Sequence, residues 1–264
     1  MRVFITGASS GLGQALARRY AARGATLGLV GRRGQALREL ADSLPGSHHC
    51  YALDVRERDA LHAAAHDFLA RAGGIDIVIA SAGISAGTLT SETADYEVFQ
   101  AIFDTNVLAT VATFEPFIPA MRAAGRGTLV GIGSVAGVRG LPGAGAYSAS
   151  KSALATYCES LRVEMARHGV RVVTIAPGYV RTAMTRDNPY AMPFLMDAGV
   201  FARRAQRAIA RGASYAVIPW QMAIVARLMR CLPDCLYDRL AARAPSKPRL
   251  AQSAQDRTGR DGPG

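Results

Sequence analysis

Short apolar runs alternate with amphipathic stretches along most of this chain, and few architectures accommodate that order. RVFIT (2–6), ATLGLVG (25–31), HHCYALDV (48–55), IDIVIASAG (75–83), GTLVGIGS (127–134), VRVVTIAPG (170–178) and YAVIP (215–219) read as buried strands. Helical periodicity fills the intervals. It runs through Leu12, Leu16 and Tyr20, then over about 35–43, 58–71 and 96–124, and from 147 to a C-cap signal at His168-Gly169. Strands separated by helices pair in parallel through right-handed crossovers, so the expectation is an α/β fold with a doubly wound parallel sheet of about seven strands. A chain of 264 residues holds one such domain. Ligands of such sheets bind beyond the carboxyl ends of the strands, which makes the residues at those ends the ones to inspect.

The first strand runs into TGASSGLG (6–13). Gly7, Gly11 and Gly13, with Ser9, Ser10 and Leu12 between them, permit a tight turn and close backbone approach, and the following helix offers free N–H groups to a pyrophosphate. The second strand ends Gly31-Arg32-Arg33, with no carboxylate to hold a ribose 2′-hydroxyl. An arginine there can grip a 2′-phosphate with its forked donors. NADP(H) is therefore the expected cofactor, with Arg32 as the main phosphate contact and Arg33 as a second.

Lysine is scarce in a chain rich in arginine: only Lys151 and Lys247 occur. Lys151 follows Tyr147 by four residues at the start of a helix, which puts both side chains on one face. A nearby ammonium favours phenolate and brings tyrosine, whose ordinary pKa is about 10, toward acid–base work at neutral pH. Ser134, just past the fifth strand, can donate to a carbonyl oxygen and stabilise developing negative charge. Taken singly, Ser134 reads as a helix cap, Tyr147 as a core aromatic and Asn106 as a buried amide.

Together these pieces resemble the short-chain dehydrogenase/reductase family. TGASSGLG, Asp54-Val55, SAG (81–83), Asn106, Ser134, Tyr147-x-x-x-Lys151 and Pro177-Gly178 occur in that family's order over about residues 2–220. The resemblance implies a Rossmann-type sheet, a nicotinamide cofactor and a catalytic set of Asn106, Ser134, Tyr147 and Lys151. It implies cofactor contacts from Asp54 and Val55 at the adenine, and from Ala82, Gly83, Pro177, Gly178, Val180 and Thr182 as well as Tyr147 and Lys151. Lys151 would hold the nicotinamide ribose and Asn106 a water that links Lys151 to solvent. Departures are Ser81 where the family usually has asparagine, Ala109 where a glycine is frequent, and Ser10 where many NADP-using relatives carry a basic residue. The expected activity is an NADP(H)-dependent interconversion of carbonyl and alcohol; the alternative is a non-catalytic NADP(H)-binding sensor or scaffold.

The domain expectation follows from this pattern. Residues 1–220 form the catalytic domain, with a substrate lid over 179–212 whose Met184, Met192, Phe194, Leu195 and Met196 suit a hydrophobic small-molecule substrate. Residues 221–243 form an apolar helical extension, and 244–264 read as a disordered basic tail. The formal net charge is +11, and residues 201–264 hold 12 basic against 4 acidic side chains. Charge gathered at one end, without interleaved aromatics, argues against a nucleic-acid binder. It leaves open a peripheral contact of the C-terminal segment with an anionic membrane surface. No apolar run reaches spanning length and no leader pattern is seen, so the expected location is cytoplasmic, with reduced cysteines. Cys231 and Cys235 lack the further ligands that a metal needs, so no metal is expected. The family resemblance adds a homo-oligomer.

Overall fold

A computed structural model describes residues 1–186, 188, 190–242 and 247–249. In chain order its elements are β1 (Arg2–Thr6), α1 (Gly11–Ala21), β2 (Thr26–Gly31), α2 (Gly34–Asp42), β3 (His49–Ala52), α3 (Arg58–Ala72) and β4 (Ile77–Ala80). There follow α4 (Asp95–Phe103), α5 (Ala109–Phe114), α6 (Ile118–Ala124), β5 (Gly127–Ile132), α7 (Gly145–Ala166) and β6 (Val170–Pro177). The last group is β7 (Val180–Arg181), α8 (Ala183–Arg186), β8 (Met196–Asp197), α9 (Ala198–Ala210), β9 (Tyr215–Ile218), α10 (Trp220–Cys231) and α11 (Asp234–Ala241).

The seven-stranded sheet has the order β3-β2-β1-β4-β5-β6-β9, and each neighbouring pair is parallel. The chain winds outward from β1 to β3, then returns to β1's other side with β4. A crevice opens at this switch point because the crossovers leave it in opposite directions. The sheet is a Rossmann-type doubly wound sheet, as the alternation predicts.

Period-two alternation along β1 feeds two cores. Val3 and Ile5 pack on one face with Leu16 and Tyr20 of α1 and Phe201, Ala205 and Ile209 of α9. Phe4 points to the other face, among Phe68, Phe114, Phe117 and Leu154. Its ring lies 4.8 Å from that of Phe117 and 5.6 Å from that of Phe68. Each fully buried side chain of this size stabilises the fold by about 1.5–3 kcal/mol.

The sequence differs from the structure in three places that matter for the site. The helical stretch expected over 96–124 is interrupted by a π-helical turn at Asp104–Leu108 and a 3₁₀ turn at Glu115–Phe117, where Pro116 has no N–H to give the helix ladder. The stretch read as a lid over 179–212 divides: β7, α8 and β8 stay near the cleft, but α9 is a core helix with Phe201 and Ala205 fully buried. Within the segment read as a disordered tail, Lys247–Arg249 lie against the loop that follows β4, with the Gly87 N–H donating to the Pro248 carbonyl at 3.0 Å. The remainder of 243–264 lies outside the described residues.

Candidate active site

All the site residues singled out in the sequence except Asn106 line one cleft of about 740 Å3 at the switch point. Thr6–Gly13 forms one end. Gly7 has φ +69°, and a Cβ there would stand 2.8 Å from the Ala82 backbone. A Cβ on Gly13 would stand 2.3 Å from the Gly7 carbonyl oxygen, so neither position accepts a side chain without moving backbone. Ser10 occupies the N-cap of α1 but makes no side-chain cap, and the first turn carries no acidic residue. The N–H groups at the start of α1, beside Ser9, Gly11 and Leu12, therefore remain available to an anion in the cleft.

Arg32, Arg33, Asp54 and Val55 line the next part. Arg33 donates through Nη2 to the Ser9 carbonyl at 2.9 Å and so braces the Gly-rich turn. Asp54 is gripped by Arg56, whose Nη2 donates to Oδ2 at 2.7 Å and whose Nε donates to both oxygens at 3.1 Å. The hydrogen bonds from Arg56, with the field of Arg32 added, hold the Asp54 carboxyl below its ordinary range. Arg56 also lines the cleft and was missed in the sequence; nothing but its position two residues after Asp54 could have signalled it.

Ala82 and Gly83 leave the sheet just after β4 because Thr6 Oγ1 accepts the N–H groups of Ser81 and Ala82, at 3.2 and 3.3 Å. The cleft's far wall holds Pro177, Gly178, Val180 and Thr182. Thr182 N–H donates to Thr185 Oγ1 at 3.1 Å, and Thr185 in turn donates to the Val180 carbonyl at 2.7 Å, which fixes this wall locally.

Ser134, Tyr147 and Lys151 converge at the end remote from the Arg32 side. Ser134 ends β5's strand path in extended conformation and caps a 3₁₀ turn, its Oγ accepting from Ala136 N–H at 3.1 Å. That bond uses a lone pair and leaves the hydroxyl proton for a ligand, so the cap and the catalytic role are compatible. Lys151 is buried, with Nζ donating to the Ile132 carbonyl at 2.9 Å and lying 5.9 Å from the Tyr147 ring centre. Desolvation pushes the Lys151 ammonium down to about 8.

The expectation that Lys151 lowers the Tyr147 pKa meets a different balance here. Burial of the phenol raises its pKa, and the opposing influence comes from the Ser134 hydroxyl. Lys151 donates to the Ile132 carbonyl, and burial disfavours its own ammonium.

Asn106 is the catalytic candidate that does not line the cleft. It is fully buried in the π-helical turn, behind Gly83 and Ile84. Its Oδ1 accepts from Ile84 N–H at 2.9 Å, and its Nδ2 donates to the Ile84 carbonyl and to Ser150 Oγ, both at 3.0 Å. Both amide protons are engaged by protein, so the side chain braces the wall rather than donating to a water. Met184, expected in the lid, lines the cleft; Ile84 and Thr185 line it too and are not marked by the sequence, where Ile84's adjacency to the SAG segment is its one signal.

A doubly wound sheet with an anion cradle at its switch point and a Ser–Tyr–Lys group beyond it defines a dinucleotide-binding oxidoreductase. The comparisons agree. The short chain dehydrogenase family model matches residues 1–192. An uncharacterised oxidoreductase of Myxococcus xanthus is 42% identical over 242 residues, covering 90% of this chain and 95% of the relative. A sulfoacetaldehyde reductase of Chromohalobacter salexigens is 36% identical over 186 residues, covering 69% of this chain and 74% of the relative. A short-chain dehydrogenase structure from Streptomyces avermitilis superposes with a TM-score of 0.77 at 26% identity, covering 98% of this chain and 99% of that one. This chain belongs to the short-chain dehydrogenase family and is an oxidoreductase of the nicotinamide-dependent kind.

Proposed function

We propose that this protein is an NADP(H)-dependent enzyme that interconverts a carbonyl and an alcohol on a hydrophobic small molecule. The observation that carries the reading is the convergence of Ser134, Tyr147 and Lys151 at one end of a cleft whose other end presents uncapped helix N–H groups. The bound nicotinamide supplies the hydride in reduction and accepts it in oxidation. The chain's own residues manage the proton and the charge. Tyr147 Oη gives its proton to the substrate oxygen in reduction and takes it back in oxidation. Ser134 donates its O–H to the same oxygen as negative charge grows there. Lys151, within the same buried group, holds the nicotinamide ribose and restores the proton to Tyr147.

Preference for the phosphorylated cofactor is supported by charge at the Arg32 end. Arg32 is exposed at the mouth, Asp54 is already engaged by Arg56, and β2 ends without a carboxylate. An apolar substrate is supported by Met184, which lines the cleft, and by Phe194, exposed on the same segment. Self-association is supported by Leu108 and Val163, exposed on the helices that follow β4 and β5. Among the described residues no helix is long and apolar enough to cross a membrane. On α10, Met222 and Ala226 face inward, while Trp220, Ile224 and Leu228 face out; this outer row, with Arg227 and Arg230 on the same helix, supports a peripheral membrane contact for a cytoplasmic enzyme.

The deciding assay follows NADPH and NADH consumption with a panel of apolar aldehydes and ketones, using Tyr147→Phe as control. Oxidation of NADPH that vanishes in the variant is the expected result. Tight cofactor binding without turnover of any carbonyl would favour the sensor alternative. Flotation with anionic vesicles tests the membrane contact, which is lost if the protein stays in the soluble fraction.

A further inference from the structure

Three residues near the C-terminus, Lys247, Pro248 and Arg249, lie across the loop between β4 and α4. We propose that they form a strap that fixes the substrate-side wall of the active site, with Arg249 as a positioning residue that acts through Asp95. The inference rests on the carbonyl–alcohol reading for its kinetic part.

The strap holds the loop at points spread along it. Lys247 Nζ donates to Ser85 Oγ at 2.9 Å. The Gly87 N–H donates to the Pro248 carbonyl at 3.0 Å. Arg249 donates to both oxygens of Asp95, at 2.8 and 3.2 Å, and to Glu92 Oε2 at 3.0 Å. Asp95 is only 2% exposed, and its Oδ2 also accepts from the Leu89 N–H at 2.8 Å. A carboxylate that far from water is tolerated only when charge and donors answer it, and Arg249 supplies the charge from 154 residues away in sequence.

Gly87 shows that the contact is built in. Its backbone is not in the left-handed region, so no conformational rule demands glycine. Yet a Cβ there would stand 2.1 Å from the Lys247 carbonyl oxygen, and its other nearest atoms also belong to the strap backbone. A side chain at 87 would first meet the strap.

The opposite side of the same loop meets the turn that delivers Tyr147. Thr88 N–H donates to the Gly143 carbonyl at 2.9 Å, and Thr88 Oγ1 accepts from Ala146 N–H at 3.5 Å. Ile84, at the start of the loop, lines the cleft and is clasped by Asn106. The loop is thus sandwiched between the strap and the residue preceding Tyr147. The stretch before that turn is held from the same C-terminal region, because Arg139 donates to the Met229 and Leu232 carbonyls at the end of α10, at 3.0 and 2.6 Å. The C-terminal segment therefore grips both loops that border Tyr147.

Full-length Arg249→Ala, Arg249→Lys and Gly87→Ala test this with two readouts. Hydrogen exchange should accelerate about tenfold or more at the amides of Gly87, Thr88 and Leu89 in Arg249→Ala and Gly87→Ala, with partial recovery in Arg249→Lys. Steady-state kinetics should show KM for the carbonyl substrate raised about tenfold, with the cofactor Kd unchanged. Wild-type exchange at these amides in both Arg249→Ala and Gly87→Ala would overturn the strap. A cofactor Kd that weakens in step with KM would overturn its restriction to the substrate side. If the wild type turns over no carbonyl, the functional reading fails, and the exchange data still decide whether the strap holds the loop.

Discussion

Asn106 clasps Ile84 by both of that residue's backbone polar groups, accepting from its N–H at 2.9 Å and donating to its carbonyl at 3.0 Å. A π-helical turn makes this reach available, since the extra residue in the turn reorients the amide relative to a regular helix. Ile84 is thereby held in place as a wall of the cleft.

Asn106→Ala should be strongly destabilising. It strands a peptide N–H and carbonyl in a site whose asparagine is fully buried, and it removes a partner of Ser150. Urea denaturation should report a loss of about 2–4 kcal/mol, with an unchanged slope against urea. A loss of a few tenths would mean that water replaces the amide.

Tyr147→Phe removes the phenolic proton donor and little volume. Turnover in the reductive direction should fall about a hundred- to ten-thousandfold, while cofactor affinity measured by fluorescence titration stays within about twofold. Parallel loss of affinity would assign Tyr147 a binding role instead.

Arg32→Ala should separate the two nicotinamide cofactors. A charge-assisted pair with a 2′-phosphate is worth about 1.5–3 kcal/mol, so NADPH affinity should drop by about ten- to a hundredfold while NADH affinity holds. Equal effects on both, or none, would move phosphate recognition to Arg56 or remove it.

Lys151 sets a pH dependence whose sign can be worked out. Burial takes its pKa down to about 8 from the ordinary lysine value of 10.5. The folded state therefore carries the full burden of the ammonium below about pH 8, and sheds it before the unfolded chain loses its proton. Stability should rise with pH across that window, by a slope absent from Lys151→Met. Urea midpoints of both proteins at about pH 7 and about pH 10 measure this, and parallel pH slopes would count against it. Reduction in the wild type should decline through the same range, as the proton supply behind Tyr147 is lost.

The local rules of the chain carried far. Alternating apolar runs specify the parallel sheet because its central strands, buried on both faces, must be apolar throughout. The Gly-rich turn, Arg32 and the Tyr147–Lys151 spacing marked the cleft because their constraints act within one turn of backbone. The runs overshot the strands at their carboxyl ends: 75–83 was read where β4 ends at Ala80, and 127–134 where β5 ends at Ile132. Those trailing residues leave the ladder and become walls of the site, which periodicity does not distinguish from strand.

Tertiary structure decided the rest, and for one reason. Thr6 Oγ1 could take the Ser81 and Ala82 N–H groups only once β1 lay beside β4, and α9 became core rather than lid only once it found α1. The grip of Arg249 on Asp95 joins groups whose sequence neighbours say nothing of each other. Hydrophobic pattern and turn chemistry are local and are written in the order of residues. The burial of Asp95, the clasp of Asn106 and the strap over Gly87 depend on which distant atoms the fold brings within hydrogen-bonding distance.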